Sequence, residues 1–158
     1  MKFDFEEFDY DEEDVFLMPS TSLAFVGDAL FSLFARVKVM NTQAKSGKFH
    51  ALATKMVKAS AQAKILDSLL PTLTEREENV VRRAKNAHTT SKSKNAGLAD
   101  YKKATAFEAL LGYLYLTKNT KRLNEVLTAS LEVELWLFVE RMGLWKPLGL
   151  MKKSITFG

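Results

Sequence analysis

The chain has 158 residues, of which 47% are hydrophobic and 27% charged, a composition typical of one globular domain. The absence of cysteine excludes disulfide frameworks, zinc–thiolate sites and thiol catalysis. No apolar run reaches the roughly 20 residues of a membrane span, and the acidic amino terminus is unlike a secretory or transit peptide. We therefore expect a cytoplasmic protein without a membrane partner.

The net charge of +4 conceals an uneven distribution. Eight of the 19 acidic residues lie in residues 1–14, where Lys2 is the single base, so that 11 acids and 22 bases remain in residues 15–158. Such a basic body indicates either a polyanionic partner or a role of charge in solubility alone. The acidic segment also carries four aromatic residues. It could cover the basic body loosely or dock on it, and the attraction of opposite charges favours docking.

Steps of three and four residues between apolar positions predict five helices, and no strand or repeat is evident. The first helix is apolar almost all round, which places it at the centre of an all-α bundle. Pro71 ends the second helix, and Thr74 with Glu77 forms a capping box at the start of the third. In chain order, the predicted helices span residues 22–40, 49–70, 75–87, 102–117 and 121–142.

Two acidic residues interrupt the most apolar segments. Asp28 is the one acid of the first predicted helix, and Glu108 lies within the apolar run TAFEALLGYLYL. Because an unpaired carboxylate is costly to bury, three interpretations stay open. The acids could be exposed at a helix rim, paired with Arg36, Arg82 or Arg83, or joined at one site for Mg²⁺ or Mn²⁺. Their neighbours on the same helical faces are small, which would leave room for an ion or a substrate. These neighbours are Ala24, Ser32, Ala104, Thr105 and Gly112.

A basic stretch begins within the third predicted helix and continues into the fourth. Lysines and arginines separated by Ser, Thr and Asn are good donors to phosphate oxygens. Aromatic residues are scarce here, so contact with the backbone of duplex RNA fits better than base stacking on a single strand. The alternative is a solvated loop. The candidate RNA-binding residues are Arg82, Arg83, Lys85, Asn86, His88, Lys92, Lys94, Tyr101 and Lys102.

Four segments, in the family's order, resemble the ribonuclease III family. LAFVGDAL at residues 23–30 resembles its signature helix with a Gly-Asp pair, and FEALLGYLYL at 107–116 resembles its second signature. FHALATKMVKASAQA at 49–63 and RRAKNAHTTSKSKNA at 82–96 are similar to segments of the short form, Mini-ribonuclease III, which lacks a double-stranded-RNA-binding domain. The resemblance covers about residues 20–130. It implies an all-α, ribonuclease III-like endonuclease domain that forms a homodimer and acts on double-stranded RNA.

The resemblance also implies a mechanism and a substrate. Asp28 and Glu108 would be the catalytic metal ligands for Mg²⁺-dependent hydrolysis, with Mn²⁺ as a substitute. Full-length members carry further acids where Thr21, Ala24 and Thr105 stand, so waters or backbone oxygens would complete the metal shell. The short form implies maturation of the large-subunit (23S) ribosomal RNA precursor, with a precursor stem as substrate and a ribosomal protein or the pre-ribosome as a further partner.

Two other functions compete with this interpretation. One is a non-catalytic RNA-binding or ribosome-assembly protein on the same fold, and the other is a helical interaction module that uses the apolar stripe of residues 49–70. For the domain organisation we predict an acidic N-terminal tail at residues 1–16, a catalytic domain at 17–142 and a C-terminal extension at 143–158.

Overall fold

The computed structural model describes residues 8–42, 44–87 and 96–142, with the side chains of the last helix described as far as Val133. Within these ranges the chain forms seven α-helices and two short 3-10 turns, with no strand. The all-α fold class is therefore confirmed. The helices are α1 (Glu12–Leu17), α2 (Ser20–Met40), α3 (Phe49–Val57), α4 (Ala59–Leu69), α5 (Glu75–Asn86), α6 (Ala96–Leu116) and α7 (Thr120–Met142).

Helices α2 and α6 form the centre of the fold and pack against each other along most of their length. Leu23 and Phe31 of α2 and Leu110 and Leu111 of α6 are fully or almost fully buried between them. The ring of Phe31 meets the ring of Phe107 edge to face, with centroids 5.0 Å apart. Helices α4 and α5 cover α6, and α7 packs on α4 and α6. None of the helices in the described part of the chain combines the length and apolarity needed to span a bilayer.

Two glycines allow the backbones of α2 and α6 to touch. A Cβ atom on Gly27 would lie 1.7 Å from the carbonyl oxygen of Glu108, and a Cβ on Gly112 would lie 2.0 Å from the carbonyl oxygen of Leu23. No side chain tolerates such distances, so the crossing requires glycine at both positions. The contact is reciprocal, because the two partners on each helix are one turn apart. Asp28, next to Gly27, is thereby held beside Glu108.

The prediction of a single helix for residues 49–70 is wrong, because two helices occupy this range. Helix α3 ends at Val57 and α4 begins at Ala59, and Lys58 between them is extended (φ −66°, ψ 150°). The apolar periodicity runs on across the break, so the spacing alone could not reveal it. The side-chain amide of Gln62 donates a 2.7 Å hydrogen bond to the carbonyl of Val57, which replaces a hydrogen bond of the interrupted helix.

Helix α5 forms as its sequence predicts. The Thr74 hydroxyl accepts a hydrogen bond from the Glu77 amide, and the Glu77 carboxylate accepts one from the Thr74 amide, which completes the capping box. Val80, Val81 and Ala84 are buried. Helices α2 and α7 also lie close to their predicted ranges. Helix α6 begins at Ala96, earlier than predicted, because the segment Ala-Gly-Leu-Ala-Asp-Tyr before Lys102 is also helical.

The acidic segment docks on the body from residue 8 onwards. Val15 of α1 is completely buried. The Arg76 guanidinium of α5 lies 2.6 Å from the Glu13 carboxylate and 3.6 Å from the Glu12 carboxylate. The Tyr113 hydroxyl of α6 donates to Glu12 at 3.1 Å. The predicted tail boundary at residue 16 therefore falls inside α1. Residues 1–7 and 143–158 lie outside the described residues, so the extension predicted there stays a prediction.

Replacing Gly27 by alanine should destabilise the fold. Alanine favours a helix over glycine by about 1 kcal/mol, but its Cβ would overlap the Glu108 carbonyl, so we expect a net loss of about 3 kcal/mol or more. The free energy of unfolding in urea measures this loss. Gly47→Ala is the matched control, because nothing lies within 4 Å of a Cβ at that position. Equal unfolding midpoints for the two variants would contradict the steric argument.

Candidate active site

The two acids singled out by the sequence meet at the α2–α6 crossing. Asp28 is exposed at the rim of the crossing, and Glu108 is half-buried beside it. The charge of Asp28 acts on the carboxyl of Glu108. Among the described residues, no lysine or arginine forms an ion pair with either acid. Of the three interpretations left open by the sequence, the ion pair with an arginine is therefore not what the fold provides.

Glu108 has an unusual electrostatic environment. The pKa of its carboxyl is raised to about 7. Burial is the main cause, a hydrogen bond from Gln62 opposes it, and the negative charge of Asp28 adds to the rise. That hydrogen bond runs from Nε2 of Gln62 to Oε1 of Glu108 at 3.0 Å. Near neutral pH, both the protonated and the ionised forms of Glu108 are therefore populated in the metal-free protein, and a bound cation would favour the ionised form.

The oxygen atoms at this site suit a hard divalent cation. Asp28 and Glu108 supply carboxylate oxygens, and Oε1 of the buried Gln62 has no hydrogen-bond partner among the residues that the structure describes. No cluster of three or more His, Cys, Asp or Glu occurs in the described ranges, so the protein offers few charged ligands here. Mg²⁺ is commonly held by one or two carboxylates while it keeps several waters, whereas Ca²⁺ and Zn²⁺ usually take more protein ligands. The residues present fit Mg²⁺ or Mn²⁺.

The small residues beside the two acids contribute mainly to helix packing and leave little space for a ligand. Gly112 is small because the Leu23 carbonyl occupies the position of a Cβ atom, and Ala24 and Ala104 are buried. Only Ser32 and Thr105 among these neighbours are half-buried. A ligand would therefore approach Asp28 and Glu108 from the rim of the crossing.

The predicted RNA-binding residues of α5 divide between two surfaces. Arg82 and Lys85 line a shallow groove with Asn86, the last residue of the helix. Arg83 points instead towards α1, where its guanidinium donates a hydrogen bond to the carbonyl of Phe16 and lies 5.0 Å from the centre of the Phe16 ring. The docked N-terminal segment thus engages Arg83, while Arg82 stays exposed. The remaining residues of the basic loop, His88, Lys92 and Lys94, lie outside the described residues.

The last two predicted RNA-binding residues lie on the first half of α6. Tyr101 is exposed and precedes Glu108 by seven residues, so it shares a helical face with Glu108 about 10 Å along the axis. Lys102 is half-buried on a neighbouring face, and Lys103 pairs with Asp67 at 2.7 Å. Tyr101 is therefore the aromatic residue placed to meet a substrate that reaches Glu108 along α6.

Sequence reasoning missed Gln62, the residue that touches Glu108 most directly. Its side chain is only 2% exposed. A signal was present in the sequence, because Gln62 shares a helical face with Leu66 and Leu69 and so interrupts the apolar face of α4 with an amide. A polar residue at a buried position requires hydrogen-bond partners, and here they are Val57 and Glu108.

The raised pKa of Glu108 predicts a pH-dependent stability for the metal-free protein. The unfolded chain loses this proton near the ordinary value of 4.5, whereas the native state keeps it to about 7. The free energy of unfolding should therefore fall as pH rises across this range, on the order of 3 kcal/mol from this group. Urea unfolding in the presence of chelator, measured at the two ends of this pH range, tests the prediction. Glu108→Gln should remove the pH-dependent contribution. Glu132→Gln, which alters an exposed carboxylate, should keep the wild-type dependence; identical behaviour of the two variants would contradict the prediction.

Comparison with known proteins places the crossing within a family. The model of the ribonuclease III domain matches residues 21–119, which include both acids. The Mini-ribonuclease 3 of Symbiobacterium thermophilum is 42% identical over 125 residues, covering 78% of this chain and 92% of the relative. The Mini-ribonuclease 3 of Brevibacillus brevis is 44% identical over 112 residues, covering 70% of this chain and 84% of the relative.

A solved structure agrees with these sequence matches. The X-ray crystal structure of protein FN1578 from Fusobacterium nucleatum is 27% identical and superposes with a TM-score of 0.67, covering 77% of this chain and 98% of that chain. The matches extend over the central helices and most of the chain. This chain belongs to the ribonuclease III family of endoribonucleases.

Proposed function

We propose that this protein is a Mg²⁺-dependent endoribonuclease that cleaves double-stranded RNA, with Asp28 and Glu108 as its catalytic metal-binding residues. The observation that carries the proposal is the convergence of these two carboxylates at the α2–α6 crossing, without a basic partner among the described residues. Two neighbouring anions repel each other, and the repulsion is relieved when a cation is held between them. Membership of the ribonuclease III family supports the reaction class.

The two acids reach the proposed metal site from different sides. Asp28 reaches the site from the exposed rim and Glu108 from the protein interior, where Gln62 holds one of its oxygens. When bound, a divalent cation would lower the pKa of water and stabilise charge developing on the phosphodiester. The ionised form of Glu108 would hold the cation, so loading the site would release the proton from the fraction of Glu108 that carries one near neutral pH. Mn²⁺ would substitute because it accepts the same oxygen donors.

The surface of α2 supports a homodimer. Phe25 is 81% exposed, and Leu33 and Met40 are each 61% exposed on the same side of this helix. A soluble monomer rarely exposes so many large apolar side chains together, and a second copy related by twofold symmetry would cover them. Phe25 lies one turn before Asp28, so the dimer would bring two active sites close to the interface.

The proposed substrate is a stem of the large-subunit (23S) ribosomal RNA precursor in the cytoplasm, with the pre-ribosome or one of its proteins as a further partner. The substrate class is supported by the basic body of the chain and by the exposed Arg82 and the half-buried Lys85, which line one groove with Asn86. Binding through phosphate contacts of this kind should weaken steeply with salt. The ribosomal assignment rests on the similarity to Mini-ribonuclease 3 proteins.

The catalytic assignment predicts that Asp28→Asn folds but cleaves an end-labelled RNA duplex at least about a hundredfold more slowly, because charge stabilisation by a bound cation is worth several kcal/mol. Wild type should cleave with Mg²⁺ and not with chelator. Asp67→Asn is the matched control, because this exposed acid lies away from the crossing and pairs with Lys103. Equal duplex binding by wild type and Asp28→Asn without cleavage by either would favour the non-catalytic RNA-binding or ribosome-assembly function.

The dimer assignment predicts that Phe25→Asp halves the molecular mass in solution, because a carboxylate at this most exposed position of the apolar face cannot be buried without a partner. Sedimentation equilibrium of the full chain measures the mass. Leu17→Asp serves as control, since Leu17 is an exposed leucine on α1 rather than α2 and should leave the mass unchanged. A wild-type protein that sediments as a monomer, or a dimeric Phe25→Asp, would contradict this interface.

A further inference from the structure

We propose that Gln62 is a positioning residue of the active site, whose amide ties the Glu108 carboxylate to the break between α3 and α4. The inference rests on the proposed function, because it assigns the support of a proposed metal ligand. Neither the apolar periodicity nor the resemblance of the four segments to the family assigned a role to Gln62.

The amide nitrogen of Gln62 has two hydrogens and uses both. It donates to the Val57 carbonyl at 2.7 Å and to Oε1 of Glu108 at 3.0 Å. The Val57 carbonyl is available only because Lys58 is extended and ends α3. The break in the helix therefore creates the acceptor that anchors the amide on one side, and the active-site carboxylate lies on the other.

The Val57 carbonyl also fixes which end of the amide faces Glu108. A carbonyl only accepts hydrogen bonds, so rotating the amide by 180° would place the Gln62 oxygen against the Val57 oxygen. Gln62 therefore presents a donor to Glu108 permanently. Oε1 of Glu108 is held, and no hydrogen bond to its Oε2 occurs within the described part of the chain, so that Oε2 is left for a cation.

The arrangement has a structural cost that packing alone does not explain. Gln62 is buried on an apolar helical face, and its Oε1 has no hydrogen-bond partner in the described part of the chain. A methionine of similar length would fill this space without the unsatisfied Gln62 oxygen, although the Val57 carbonyl would lose its side-chain donor. A buried glutamine is favoured here if its donors do something an apolar side chain cannot. Restricting the rotamers of a glutamate that must bind a cation is such a role.

The test measures Mn²⁺ affinity of the full-length protein without RNA by titration calorimetry, alongside its melting temperature. Gln62→Met should weaken Mn²⁺ binding ten- to a hundredfold, the range usual for residues that orient a metal ligand. Ile65→Val is the matched control, because it disturbs the fully buried face of the same helix without an amide. It should lower the melting temperature and leave Mn²⁺ affinity within twofold of wild type.

The double variant separates positioning from a purely structural role. In a Glu108→Gln background, Gln62→Met should still lower the melting temperature, because the bond to Val57 is lost, but should weaken Mn²⁺ binding no further. An equal further loss in that background would overturn the proposal, because Gln62 would then act independently of Glu108. Should Gln62→Met fail to fold, Gln62→Asn replaces it. Its shorter amide cannot span both partners, so its Mn²⁺ affinity should fall at least tenfold.

The outcomes distinguish this inference from the proposed function. Wild-type Mn²⁺ affinity in Gln62→Met, together with weakened binding in Asp28→Asn, would overturn the role of Gln62 and leave the metal site intact. No Mn²⁺ binding by wild type, or equal binding by wild type and Asp28→Asn, would overturn the metal site and the role of Gln62 with it. In cleavage assays, Gln62→Met should raise the Mg²⁺ concentration for half-maximal rate while KM for the duplex stays unchanged.

Discussion

The close contact between the backbones of α2 and α6 is the constraint on which the rest of the structure depends. Gly27 rests on the carbonyl of Glu108, and Gly112 rests on the carbonyl of Leu23, so each helix lacks a side chain where the other passes. The core forms on both sides of this crossing, with Phe31 against Phe107. The same approach that closes the core brings two carboxylates together, and packing and chemistry therefore share one geometric cause.

Much of the fold could be predicted because its signals are local. The apolar spacing located α2, α5 and α7, and the Thr74–Glu77 pair marked the start of α5. The break at Lys58 could not be predicted, because one extended residue leaves the spacing of three and four residues intact. Asp28 and Glu108 were identifiable as acids out of place in apolar helices. Their meeting could not be inferred from the residues alone, since it depends on a crossing between segments 80 residues apart in sequence, and only the family resemblance placed them together.

The docked α1 divides the charge of α5 between two uses. Arg76 and Arg83, seven residues apart on one face, lie against the carboxylates and the Phe16 ring of the N-terminal segment. Arg82 and Lys85 occupy another face and remain open to an outside anion. The number of basic residues therefore overstates the basic surface that is available to RNA. The sequence predicted the attraction between the acidic segment and the basic body, but only the helical register shows which arginines it engages.

The proposed active site concentrates features that disfavour the metal-free fold: a carboxyl with a pKa of about 7, a second carboxylate beside it, and an amide oxygen without a hydrogen-bond partner among the described residues. Functional sites commonly break the local rules that the rest of a sequence obeys. A cation that binds only the native state would offset these costs and stabilise the fold in proportion to its occupancy. In that case the metal-free native state can tolerate the unfavourable free energy of placing the two acids side by side. The glycine crossing and the Gln62 anchor hold Glu108 beside Asp28, and in the proposed function a bound cation would neutralise both.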